Sequence, residues 1–210
     1  MSRLRSPRVR ATPEVRRVRL FVALDIPEAV RASLIELAGE LRKISPHTRW
    51  VRLERAHITL KFIGEAPLAQ AEKIRAALGN IRNIAPFELR FAGLGFFPDT
   101  RQPRVFWAGI EGGASLAQLA AAIEDALAPL GIPRESREFR PHITLARLDT
   151  DAETASLHSA IAGHGTAEFG RARADEFCLY QSILKSDGAE YTRLAVYPLL
   201  GKQATGELSP

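Results

Sequence analysis

Apolar positions along the chain switch between a two-residue and a 3.6-residue period, and the switch points divide it into strands and helices. Val18–Leu24 (V-R-L-F-V-A-L) is rich in β-formers and reads as a buried strand closed by Asp25 and Pro27. Val30, Leu34, Leu37 and Leu41 then fall on one helix face within Ala29–Leu41, with Pro27 near the first turn. Trp50 and Val51 begin an extended piece leading to a strand over Ala56–Ile63, which Gly64 and Pro67 end. Ala69–Leu78 is a second helix with Ile74 and Leu78 inward, and Phe87–Phe97 alternates as a strand before a loop at Pro98, Asp99 and Pro103. Arg104–Ile110 is a strand broken by Gly112 and Gly113, and Ser115–Leu130 is an Ala-rich helix ending before Gly131 and Pro133. A strand after Pro141, a short helix over Asp151–Ile161 with an acidic first turn, and strands over Ala174–Leu184 and Glu190–Leu199 complete the pattern. The turn Ser186-Asp187-Gly188 makes the last two a hairpin.

The order repeats. A shift of 85 residues lays Arg19-Leu20-Phe21-Val22-Ala23 on Arg104-Val105-Phe106-Trp107-Ala108 without a gap, and the same shift lays residues 57–60 on 142–145. Each copy runs strand, helix, strand, helix, strand. A duplication of this kind predicts an α+β protein of two pseudo-symmetric lobes, with antiparallel-rich sheets, helices outside and a central cleft. The strands holding residues 57–60 and 142–145 are expected at the centre of the lobes, facing that cleft.

Those two segments are identical: His57-Ile58-Thr59-Leu60 and His142-Ile143-Thr144-Leu145. The chain holds five histidines, and no other has such a companion. In extended backbone, residues i and i+2 share a face, so His and Thr stand on the front of each strand and Ile and Leu on the back. Two imidazoles across one cleft can act as a base and an acid together, because a neutral ring accepts a proton while its charged twin donates one. In-line displacement at phosphorus requires both. The Thr hydroxyls can donate to non-bridging phosphate oxygens, and the chemistry needs no metal or other cofactor. A metal on His57 and His142 would want a third ligand, and neither motif carries Asp, Glu or Cys at a suitable offset.

Composition narrows the class further. With 46% apolar and 25% charged residues the chain is globular, and the single Cys178 excludes an internal disulfide and a multi-cysteine zinc site. The net charge of +5 is concentrated at the start, where residues 1–19 carry seven arginines against one acid. The remainder is near neutral. Residues 1–17 are expected to be a basic disordered leader, 18–200 a single bilobal domain and 201–210 a flexible tail. No stretch approaches the roughly 18 apolar residues of a membrane span, which predicts a soluble, cytoplasmic protein; it is expected to be a monomer.

H-I-T-L twice, with R-L-F-V-A-L over Arg19–Leu24 and F-R-P-H-I-T-L-A-R over Phe139–Arg147, resembles the 2H phosphoesterase superfamily, and within it the RNA 2′,3′-cyclic phosphodiesterases long named 2′-5′ RNA ligases. The resemblance spans Arg19–Leu199, and the paired motif at this separation is highly specific. It implies hydrolysis of a 2′,3′-cyclic phosphate RNA end to a 2′-phosphate. By that resemblance His57 protonates the leaving ribose 3′ oxygen, His142 activates water, and Thr59, Thr144 and Arg147 hold the phosphate. Arg55 and Ala56 replace the polar and bulky apolar pair usual before the first motif, a change of flanking packing.

Strand parity bears on the neighbours of the motifs. A regular strand points Lys61 into the cleft as an RNA contact and Arg147 away from it, so the role implied for Arg147 needs the strand to end or twist after Leu145. Phe96 and Phe97 could offer a stacking face to a nucleobase, although one of them must point inward. Trp50 and Trp107 read as structural, and His47, His158 and His164 as surface residues. Two other functions fit the same residues: joining of RNA ends through a 2′-5′ linkage, the reverse chemistry, and a non-catalytic RNA-binding module using the arginine leader.

Overall fold

The computed structural model describes residues 16–99, 103–149, 151–161 (151–154 by backbone alone), 167–185 and 188–201. Most of the arginine leader, the tail from residue 202, His164 and the Ser186-Asp187 turn lie outside the described residues. Strands β1 (Arg17–Asp25), β2 (Arg49–Trp50), β3 (His57–Pro67), β4 (Phe87–Phe97), β5 (Val105–Glu111), β6 (His142–Arg147), β7 (Glu168–Ala174), β8 (Glu176–Lys185) and β9 (Gly188–Pro198) alternate with helices α1 (Glu28–Ile44), α2 (Leu68–Leu78), α3 (Gly113–Leu127) and α4 (Asp151–Ile161). Helix α3 stops short of Leu130 because Pro129 turns its last residues into a 3₁₀ turn, Ala128–Leu130. Strand β7 is an addition to the elements read from the sequence.

The strands form two antiparallel sheets, ordered β3-β1-β8-β9 and β2-β6-β5-β4-β7. The 85-residue shift relates β1 to β5 and β3 to β6, and brings β4 largely onto β8. Yet β4 pairs with β5 of the second copy, and β8 pairs with β1 of the first. Each copy therefore gives its third strand to the other copy's sheet. The helices cross as well: α1 packs on β7, and α3 packs on β3. This exchange makes one continuous core from both copies, with Leu20, Leu34, Ile58, Ile74, Phe91, Phe106, Leu119 and Ile143 all buried in it. At roughly 1.5–3 kcal/mol for each large apolar side chain fully buried, the shared interior holds the two lobes together.

The motif strands do not lie at the centre of their sheets. Strand β3 is an edge, and β6 is flanked outside only by the two-residue β2. They also contact each other, so the two sheets meet along the histidine strands. An edge position suits the task better than a central one, because it brings residues of different sheets to one line.

Candidate active site

His57 opens β3 and His142 opens β6. Across the ladders His57 faces Asp25 and Thr59 faces Ala23, while His142 faces Gly109 and Thr144 faces Trp107. Directly opposed residues share a sheet face, so each motif's His and Thr stand together on the front. Ile58, Leu60, Ile143 and Leu145 are buried behind.

The two rings are held alike. His57 Nδ1 lies 3.0 Å from the Arg55 carbonyl, and His142 Nδ1 lies 2.7 Å from the Arg140 carbonyl. A carbonyl oxygen only accepts, so Nδ1 must carry the hydrogen and donate it. That leaves Nε2 of each ring as the atom available for proton transfer. Arg31, on α1, donates to the carbonyls of Leu53 (2.9 Å), Glu54 (2.9 Å) and Ala56 (3.2 Å), fixing the turn that delivers His57. Arg55 donates to the Ala189 carbonyl and ties the same turn to the start of β9. Neither arginine's role was legible in the sequence, because both act on backbone carbonyls brought close only by the fold.

The surroundings of the rings differ. His57 stacks on Phe21 at 4.7 Å and meets the edge of Tyr191 at 5.1 Å. Burial among these rings lowers the His57 pKa from its ordinary 6.5, and Arg31 adds to the lowering. The Arg55 carbonyl and the Asp25 carboxylate oppose it without cancelling it. Asp25 is itself occupied, accepting from Tyr180 Oη and from the Arg193 guanidinium. His142 meets the edge of Phe97 at 4.9 Å and lies in an open recess. Beside these groups, burial pushes the Cys178 thiol up to about 11, which leaves it protonated and a poor nucleophile.

One irregularity occurs in both copies. Ala23 pairs with Thr59 but Val22 pairs with Lys61, so Leu60 is skipped. Trp107 pairs with Thr144 but Phe106 pairs with Ala146, so Leu145 is skipped. A bulge adds one residue and inverts the alternation beyond it. Leu60 and Lys61 are consequently both buried, as are Leu145 and Ala146, and the next residue of each strand returns to the front. In the second copy that residue is Arg147. The bulge supplies the twist its implied role required, and Arg147 is exposed with no ion-pair partner among the described residues.

In the first copy the same bulge overturns the parity expectation for Lys61. Its side chain is only 5% exposed and points back to α3, where Nζ donates to Glu124 at 2.7 and 2.8 Å and to the Pro133 carbonyl at 2.7 Å. Lys61 is not at the cleft. Its place on the front is taken by Phe62, 67% exposed and 6.3 Å from Phe21. Phe96 is likewise displaced from the set of RNA contacts: it is buried and stacked at 4.4 Å on His158. That stack also removes His158 from the surface residues, whereas His47 is exposed as expected. Phe97 keeps the cleft side, next to His142. Trp50 points into the core against Phe106, but Trp107 shares the front with Thr144.

Among the described residues no group of three His, Cys, Asp or Glu is placed to hold a metal ion, and no helix is long and apolar enough to cross a membrane.

Two exchanged lobes, each presenting an H-x-T front beside a bulge, have the architecture of a LigT-like phosphoesterase. The chain belongs to the 2′-5′ RNA ligase superfamily, whose family model matches residues 11–184. A protein of Aquifex aeolicus named RNA 2′,3′-cyclic phosphodiesterase is 34% identical over 192 residues, covering 88% of this chain and 98% of its own. One of the same name from Thermus thermophilus is 36% identical over 195 residues, covering 88% and 92%. Among solved structures, a Thermus thermophilus protein superposes with a TM-score of 0.73 at 32% identity, covering 88% of this chain and all of that one. E. coli LigT complexed with 3′-AMP superposes with a TM-score of 0.71 at 26% identity, covering 88% and 99%.

Proposed function

We propose that this protein hydrolyses the 2′,3′-cyclic phosphate at the end of an RNA strand to a 2′-phosphate, using His57 and His142 as a metal-independent acid and base pair. The observation that supports the reading is the matched anchoring of both Nδ1 atoms to backbone carbonyls, which leaves the two Nε2 atoms for proton transfer on strands that contact each other. The activity named for its relatives supports the choice of substrate.

In the proposed step His142 Nε2 takes a proton from water as the water oxygen bonds to phosphorus. The bond from phosphorus to the ribose 3′ oxygen breaks, and protonated His57 gives its proton to that oxygen. Thr59 and Thr144 donate to the non-bridging oxygens, and Arg147 neutralises developing charge. The donor set does not favour a metal, since Asp25, the carboxylate across the ladder from His57, is held by Tyr180 and Arg193. Incubating a cyclic-phosphate-ended oligonucleotide in excess EDTA tests both claims. The expected product is the 2′-phosphate at undiminished rate, whereas a 3′-phosphate or loss of turnover in EDTA would refute the mechanism. Adding a strand with a 5′-hydroxyl separates hydrolysis from end joining.

The lowered His57 pKa gives the pH profile a direction. The proposed state needs His57 protonated and His142 neutral together, so the rate stops rising with pH at the lower of the two ionisations and begins to fall at the higher. Because burial lowers the His57 pKa, the rising acidic limb of kcat/KM, which reports the free enzyme, is expected to level off below pH 6.5. A limb still rising above pH 7 would show that the ring with the lowered pKa is not one of the pair. For Arg147, replacement by glutamine is expected to raise KM about tenfold or more, the loss of one charge-assisted contact. Unchanged KM in steady-state assays would remove Arg147 from the phosphate site.

A further inference from the structure

Strand β2 sets Arg49 directly across from Arg147, in the register Arg49↔Arg147 and Trp50↔Ala146. Opposed residues share a face, with Cα atoms about 4.5–5.5 Å apart. Trp50 turns its ring back onto Phe106, so Arg49 stands on the other face, the front, where the bulge has put Arg147. The same row continues through Val105 to Phe97, which meets His142. Two like charges directly opposed work against strand pairing, and β2 has only two residues to pair with. The fold relieves this only in part. Asp149 pairs with Arg49 at 3.3 Å, but the two side chains are 67% and 54% exposed, and so open a pair contributes little. Arg147 has no ion-pair partner among the described residues. The two arginines therefore hold more positive charge than their neighbours balance, at the end of the strand that bears His142 and Thr144.

We propose that Arg49, beside Arg147, binds a second phosphate: the phosphodiester that joins the terminal nucleotide to the one before it. The inference rests on the cyclic-phosphate reading above and adds the substrate class, an RNA strand in preference to a single nucleotide. Arg147 comes three residues after Thr144, within about 10 Å along β6, and Arg49 lies one strand further out. Arg147 can therefore reach back to the reacting phosphate, and Arg49 can take the next one along the chain. An arginine fork binds two oxygens of a phosphodiester at once, and the anion relieves the repulsion between the two side chains as it binds. Contacts to phosphate read no base edge, so this site selects for length and not for sequence.

A dinucleotide ending in a 2′,3′-cyclic phosphate tests this, made once with the natural phosphodiester and once with an uncharged methylphosphonate at the internal link. The two substrates differ in one charge and not in their bases. The unmodified protein is expected to favour the phosphodiester about tenfold or more in kcat/KM, an advantage that shrinks as salt is raised. Arg49→Gln is expected to bring the ratio close to one. Arg49→Lys, which keeps the charge but not the fork, is expected to retain part of it. Each ratio is taken within one protein, so any loss of folded material cancels from it. Equal rates on the two links in the unmodified protein, or a preference that survives Arg49→Gln, overturns the second phosphate site and leaves the hydrolysis standing. If the unmodified protein hydrolyses neither substrate, the proposed function falls and the second site falls with it.

Discussion

Alanine at His57 or at His142 is expected to lower kcat/KM for a cyclic-phosphate RNA end by about a hundred- to ten-thousandfold. The size follows from what each ring supplies. Without His142 no group is placed to take the proton from water, and without His57 the 3′ oxygen must leave as an alkoxide. The effects should not add. Once one proton transfer is lost, the other ring no longer works in concert with it, so the double variant should lie close to the worse single one. His57 also packs against Phe21 and Tyr191, so His57→Gln, which fills more of that space, separates lost chemistry from lost packing. Single-turnover assays beside thermal melts decide the matter. A folded variant retaining activity within about tenfold of the unmodified protein would fall short of a general acid–base role and refute the two-histidine mechanism.

The motif strands, the helices and the duplication were legible because period and spelling are local. Ile58 and Leu60 point to the core and His57 and Thr59 to the front, as alternation alone requires. Alternation fails one residue later, at Leu60 in the first copy and at Leu145 in the second. A bulge is a property of a pair of strands, and a single strand's sequence does not announce it. Still, a signal was present: Lys61 and Arg147 stand at different offsets from their histidines, and no regular strand could bring both to the cleft. The placing of Trp107 has a related cause. Its place on the front depends on facing Thr144, and its ring lies close over Gly95 from a neighbouring strand. The exchange of third strands between copies is likewise a pairing choice that one chain's pattern leaves open.

The duplicated bulge also explains how a nearly symmetric cleft can hold an asymmetric substrate. It carries the fifth residue after each histidine to the front, and those residues are Phe62 and Arg147. One side of the site gains a cation beside an open, aromatic-lined recess. The other gains an exposed aromatic ring beside a histidine already half-buried among rings. Identical motifs thus sit in unlike surroundings, and burial makes the His57 ring give up its proton the more readily.

Lys61→Met is expected to destabilise the fold by about 3–5 kcal/mol, the cost of breaking a buried ion pair from one side. The loss arises on the back of the sheet. Lys61 is 5% and Glu124 17% exposed at the side chain, and the ammonium also satisfies the Pro133 carbonyl. Methionine matches the length of the stem but leaves a carboxylate in a poorly solvated place, with the Glu135 N–H at 3.3 Å as its remaining donor. The pair also joins β3 of the first copy to α3 of the second, so the loss falls on the contact between copies. Replacing both partners, Lys61→Met with Glu124→Leu, should recover most of the stability, because well-packed apolar pairs substitute for buried ion pairs at little cost. Urea unfolding of the two singles and the double measures this as a cycle. Activity per folded molecule should stay close to that of the unmodified protein in all three, since none of these side chains reaches the cleft. An RNA contact at Lys61 would give the opposite pattern, with stability intact and KM raised.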